Sequence, residues 1–231
     1  MAVIVKMIAP IFLYTHITAG LIALVLFWVP IFTPKGSVNH RRFGRWYVNA
    51  MWCVVVTAIL LSIKNVMIAN YFAAAFLAFL ALITLRPLWS GISILKCKHE
   101  LDPKHQLIDR GLLCLIVVSG FVLIWLGSTM SGHGMQNVVF VFGVLGVSNV
   151  FELIRSFKNN VEVQWLNAHL SCLCITGIAA HTAFFVFGAS SFIEKIFASY
   201  WLILPWCLPT VIGVIGIAFA NRRFNASKKV I

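Results

Sequence analysis

Residues 16–51 read HITAGLIALVLFWVPIFTPKGSVNHRRFGRWYVNAM. An apolar run with one histidine leads into a basic turn, and a second apolar run begins behind it. Charge gathered between two apolar runs is the pattern of a helix that ends at a membrane surface and a second that re-enters.

The same pattern recurs outward from this stretch. Apolar runs of about 20 residues, each able to cross a ~30 Å hydrocarbon core, follow one another along the chain. The 231 residues are 61% hydrophobic and 10% charged, with a mean hydropathy of +0.97. A soluble domain carries about 25% charge. In lipid each backbone amide must be paired internally, so such runs are helices. A β-barrel would alternate apolar and polar residues in segments of about ten, and these runs do not alternate. The expected fold class is an all-α, polytopic integral membrane bundle. Seven segments are expected, over 7–32, 46–64, 68–90, 110–127, 137–157, 164–187 and 198–220, in a single domain. Pro34 and Gly36 end the first. Arg86-Pro87 is expected to mark the inner end of the third, where proline restricts a helix. The N-terminus reads as a retained first helix, not a removed signal peptide.

The net charge of +12 lies between the apolar runs. Lys and Arg placed there set topology and touch anionic lipid headgroups, which argues against nucleic acid as a partner. One set of loops holds fifteen Lys and Arg and the other holds Lys6, Lys64 and Lys195. The positive-inside rule puts the fifteen in the cytoplasm of a bacterial inner membrane, with the N-terminus outside and the C-terminus inside. Of the basic turn, Lys35, Arg41, Arg42 and Arg45 are the candidates for contact with lipid phosphate, since arginine forks onto phosphate.

Polar groups inside a bilayer are costly and mark function by default. His16 lies in the first segment, and His169 and His181 in the sixth. Counting ~1.5 Å per residue puts His16 roughly 6 Å and His181 roughly 8 Å to the outside of the midplane, with His169 roughly 10 Å to the inside. His16 and His181 then share a level, and His40 in the basic turn is nearest to His169. Two opposed histidines at one depth are what a bis-His b-type haem needs, so haem b held by His16 and His181, or by His16 and His169, is one expectation. His169 with Cys172 or Cys174 is a second-rank metal candidate, because residues three apart share a helix face and imidazole with thiolate suits zinc or copper.

The six cysteines (Cys53, Cys97, Cys114, Cys172, Cys174, Cys207) show no CxxC spacing, and no disulfide framework is expected. The six acids, Glu100, Asp102, Asp109, Glu152, Glu162 and Glu194, all fall away from mid-membrane, which argues against a proton-coupled carrier. Glu152 is expected to pair with Arg155 and to share Arg86. His99 and His105 read as members of a solvated loop, and His133 lies in an outer glycine-rich loop. The last segment has no lysine for a retinal Schiff base, so a rhodopsin is excluded.

His16-x3-Gly20, then Lys35-Gly36-x3-His40-Arg41-x2-Gly44-Arg45, then Ala50-Met51, resembles an uncharacterised bacterial family of predicted multi-pass membrane proteins, the domain-of-unknown-function 2306 type. The stretch His169 to Val186, ending GIAAHTAFFV, is similar to the second motif of that family. What the resemblance implies is a set of marked positions: His16, His40 and His169, with Gly20, Gly36, Gly44, Thr182, Ala183 and Phe184. His181 stands where the motif carries no histidine. The resemblance implies no activity.

The leading functional expectation is a non-enzymatic or redox-accessory membrane protein with a His-lined site joining the first and sixth segments. A small-solute transporter or channel is the alternative, and so is a structural or assembly partner, as a homo-oligomer or within a membrane complex.

Overall fold

The computed structural model describes residues 2–96, 102–129, 135–157, 164–189 and 204–228, with backbone alone for 2–8, 135 and 224–228. Cys97, His99, Glu100, His133, Glu162, Glu194 and Lys195 lie outside the described residues, as do residues 198–203 of the expected seventh segment. Every described element is helical: α1 (Ala2–Phe32), α2 (Val38–Met67), α3 (Tyr71–Ser93), α4 (Pro103–Thr129), α5 (Met135–Ser148), α6 (Val150–Ser156), α7 (Trp165–Ala183) and α8 (Leu204–Lys228). A π-helical turn, Phe184–Gly188, extends α7. Helices α5 and α6 together make one span, so among the described residues seven helices are long and apolar enough to cross a membrane. The chain is a multi-pass membrane protein with an all-α bundle.

The helix ends follow local chemistry. Gly36 takes a φ of +76°, which a side chain would strain, and so turns the chain after α1. Ser37 then caps α2 by accepting the His40 backbone N–H at 3.2 Å. The cap starts α2 at Val38 and not at residue 46, so most of the basic turn is helix. Asn70 caps α3 in the same way through Ala73. Pro103 opens α4, where its missing N–H costs nothing. Pro87 does not end α3, which continues to Ser93. Its ring is buried beside Leu88, and tertiary packing outweighs the lost hydrogen bond. Between α5 and α6 the side chains of Ser148 and Asn149 both donate to the Leu145 carbonyl, which breaks the ladder there.

Helix α3 is central and packs against α2, α4 and α7, while α7 also meets α1 and α8. One core cluster joins Ala23, Tyr47, Met51, Val55 and Leu88, with Phe27 and Leu173 against it. The other joins Phe76, Phe79, Ile116, Leu123 and Val139, with Phe142 and Trp206 against it. Helices α4 and α5 cross on glycine. A Cβ on Gly120 would meet the backbone of Gly143, Gly146 and Val147 at 2.7–2.9 Å, so nothing larger fits. In the same way Gly177 of α7 lies against the ring of Phe27, which sets where α7 meets α1.

Candidate site at the junction of α1, α2 and α7

His40 and His169 lie within electrostatic reach of each other at the C-terminal end of α1, His181 meets Trp28 roughly 18 Å farther along α7, and His16 joins neither. The end of α1 is held first. Pro30 and Ile31 are within its last turn, where carbonyls have no intrahelical donor. Lys35 Nζ donates to both carbonyls at 2.9 Å, and His40 Nδ1 donates to Pro30 O at 3.0 Å. The Lys-Gly-x3-His spacing therefore builds a C-terminal cap for α1. Partial desolvation among these groups lowers the pKa of the Lys35 ammonium, opposed by the nearby Cys174 thiol.

Helix α7 brings the other groups. Tyr47 and Thr176 share a buried hydroxyl hydrogen bond of 2.7 Å. His169 Nδ1 donates to Gly91 O of α3 at 2.7 Å, and its ring is within electrostatic reach of His40. His181 Nδ1 donates to Gly177 O at 2.7 Å, while Trp28 Nε1 donates to His181 Nε2 at 3.2 Å. Phe27 and Trp28 meet the His181 ring edge to face, with centroids 5.3 and 5.6 Å away.

His16 lies well away. Its Nδ1 donates to Val54 O at 3.1 Å and to Thr57 Oγ1 at 3.0 Å, on α2. A carbonyl can only accept, so in all four histidines Nδ1 carries a proton, and in His181 Nε2 holds the lone pair that accepts from Trp28. The Nε2 of His181 is taken by Trp28; those of His16, His40 and His169 make no hydrogen bond among the described residues.

These positions correct the expected haem pairings. His181 is one hydrogen bond from Trp28, which is twelve residues and roughly 18 Å along α1 from His16. His169 is near His40, and His16 near Thr57, at places roughly 25 Å apart along α2. Counting depth from segment midpoints fails because the helices are staggered. Gly177 faces Phe27 and not Gly20, a slip of roughly 10 Å. Neither pairing sets two imidazoles across one iron, so these residues do not fit a bis-His haem.

The metal candidate divides: His169 stays with Cys172, both against Gly91, and not with Cys174. Cys172 faces Gly91 on α3, whereas Cys174 is within electrostatic reach of Lys35 and Tyr47. Residues two apart on a helix point to different sides. Among the described residues no three His, Cys, Asp or Glu are grouped to hold a metal ion, and the five described cysteines are free.

Two groups escaped the sequence. His105 is not solvated: it lies in the first turn of α4, 8% exposed, stacked on Trp89 of α3 at 6.4 Å. Its Nδ1 and the Trp89 Nε1 are buried with no hydrogen-bond partner among the described residues. The helical start at Pro103 was the missing signal. Arg86 is the other. Its Nε and Nη2 donate to Asp109 at 3.0 and 3.1 Å, and its Nη1 and Nη2 donate to Glu152 at 2.9 and 2.8 Å. Ser90 Oγ donates to the same Asp109 at 2.7 Å. The ion partner of Glu152 is Arg86, because Arg155, one turn on, leaves that carboxylate to the α3 guanidinium. The network ties α3, α4 and α6.

No family model, curated protein or solved structure matches this chain.

Proposed function

We propose that this protein is a non-enzymatic binding protein of the bacterial inner membrane, and that its site is the junction of α1, α2 and α7. The observation that supports this most is that His40 and His169, on two helices, lie within electrostatic reach of each other, each with Nδ1 pinned to a carbonyl. Such pinning fixes the ring and, in the neutral imidazole, leaves Nε2 as an oriented acceptor. Polar groups within spans are expensive and are kept where they contact a ligand or one another. Lys35 and the Tyr47–Thr176 pair already direct their protons to Pro30, Ile31, Thr176 and Leu173, so the chemistry suits a small polar solute that donates hydrogen bonds to the imidazoles.

The test is mass spectrometry of small molecules released from the purified protein, with metal and haem analysis alongside. A solute that co-purifies with wild type and with His16→Ala, and is lost from His40→Ala and His169→Ala, is the expected result. Identical contents in all four proteins, or no solute in any, would overturn the proposal. A Soret band in wild type that disappears in His16→Ala would instead restore the haem expectation.

A further inference from the structure

We infer that the outer face of α1 and α2 carries a seat for one anionic phospholipid, separate from the histidine junction. Two grooves open sideways there. One, of about 440 Å³, is lined by Ala19, Ile22 and Leu26 of α1 and by Trp46, Asn49 and Cys53 of α2, among others. The second, of about 410 Å³, shares Ala19 and Ile22 and continues along α1 to Thr18, Thr15 and Tyr14. From Leu26 to Tyr14 they run twelve residues, roughly 18 Å, which is close to the ~15 Å of one leaflet's hydrocarbon. The length and the apolar lining suit a single acyl chain.

The mouth of the groove is cationic. Helix α2 has 30 residues and is roughly 45 Å long, so roughly 15 Å of it extends beyond a ~30 Å core. Arg42 and Arg45 lie in its first turns and are exposed. The Arg42 guanidinium lies over the Trp46 ring at 4.9 Å, which holds it at the groove's end. Trp46 is 45% exposed, as befits a ring at the interface. Both guanidiniums are free of carboxylates among the described residues and can fork onto a phosphate. Lys35, by contrast, is spent on the end of α1.

Asn49 supplies the remaining observation. It is exposed on the lipid side of a span and makes no hydrogen bond among the described residues. An amide facing bare hydrocarbon is costly. It lies one turn from Arg45, roughly 6 Å deeper. Phospholipid ester carbonyls lie at that depth below the phosphate, and the amide N–H₂ can donate to one. Phosphate, ester and acyl chain thus each meet a group of matching chemistry along one line.

The experiment is native mass spectrometry of the full chain released from vesicles of equal parts phosphatidylcholine and phosphatidylglycerol. Wild type is expected to retain one phosphatidylglycerol in preference to phosphatidylcholine. The double variant Arg42→Gln/Arg45→Gln should lower that retention about tenfold or more. Asn49→Leu should weaken it with both arginines present, and Ile22→Trp should block the groove with all charges intact. Equal retention of both lipids, or unchanged retention in all variants, would overturn the inference. So would a two-chain species in wild type that Asn49→Leu dissolves, which would make the face a seat for a second copy. None of these substitutions touches His40 or His169, so failure here leaves the solute test standing.

Discussion

Tyr47 and Arg86 show how differently two polar side chains can be held inside one bundle. The Tyr47–Thr176 bond joins α2 to α7 in a buried setting. Single interhelical hydrogen bonds in membranes average about 0.6 kcal/mol and reach about 1.7. Tyr47→Phe should therefore lower unfolding stability in detergent by about 1 kcal/mol, since the ring still packs on Phe27. Arg86 is a harder loss. Its side chain and that of Asp109 are 17% and 18% exposed. Arg86→Ala would leave Asp109 without its counter-charge, at a cost of about 2–4 kcal/mol. Arg86→Lys keeps the charge but cannot fork onto two carboxylates, and should fall between. A denaturation series on the three proteins checks the order; equal stabilities would refute it. Only the neighbours distinguish the two cases, because the sequence offers Arg86 a share of Glu152 but points neither to Asp109 nor to Thr176 as a partner.

At the scale of elements, the helix crossings rest on glycine in some places and not in others. Gly120, Gly143 and Gly146 bring α4 and α5 into backbone contact. Gly143→Ala would put a methyl 2.9 Å from the Ile124 nitrogen and should destabilise by about 1–3 kcal/mol. Gly216→Ala on α8 meets nothing within 4 Å and should be neutral or stabilising by up to about 1 kcal/mol. Thermal unfolding of the two variants side by side decides it, and the prediction fails if they shift alike. Gly20, one of the positions marked by the motif resemblance, also has open space around it. Gly36 is different again, since it is fixed by its positive φ and not by a neighbour. Sequence distinguishes none of these roles. All are glycines in or beside apolar runs, and the role of each depends on the partner that faces it.

At the scale of the whole molecule, the charge asymmetry makes a prediction of its own. Fifteen Lys and Arg against three should hold the C-terminus in the cytoplasm. Fluorescent-protein fusions fold on the cytoplasmic side and alkaline phosphatase fusions work outside. A fluorescent C-terminal fusion is expected, with phosphatase activity from a fusion in the 68–70 turn. The reverse pattern would invert the topology. Packing around α3 makes a second prediction at this scale. His16 and His181 are held by different neighbours along α1 and α2, so haem supplied during expression should leave no Soret band on the purified protein.

Most of the architecture was legible because a bilayer leaves few choices. Apolar runs of about 20 residues must be helices, and seven such helices are present. Their ends were less legible, since α2 and α4 begin with caps and a proline outside the hydrophobic runs. The site was legible only as a list of histidines. Hydropathy gives each helix a length, and arginines give it a sense, but neither fixes how far one helix slides past another. That slide is set by Gly177 against Phe27 and by glycine at the α4–α5 crossing, contacts between residues far apart in the chain. The sequence by itself determined a helical bundle with polar groups in its spans. The tertiary structure decided which of them meet: it set His40 and His169 within electrostatic reach, gave His181 to Trp28, and left His16 with Thr57.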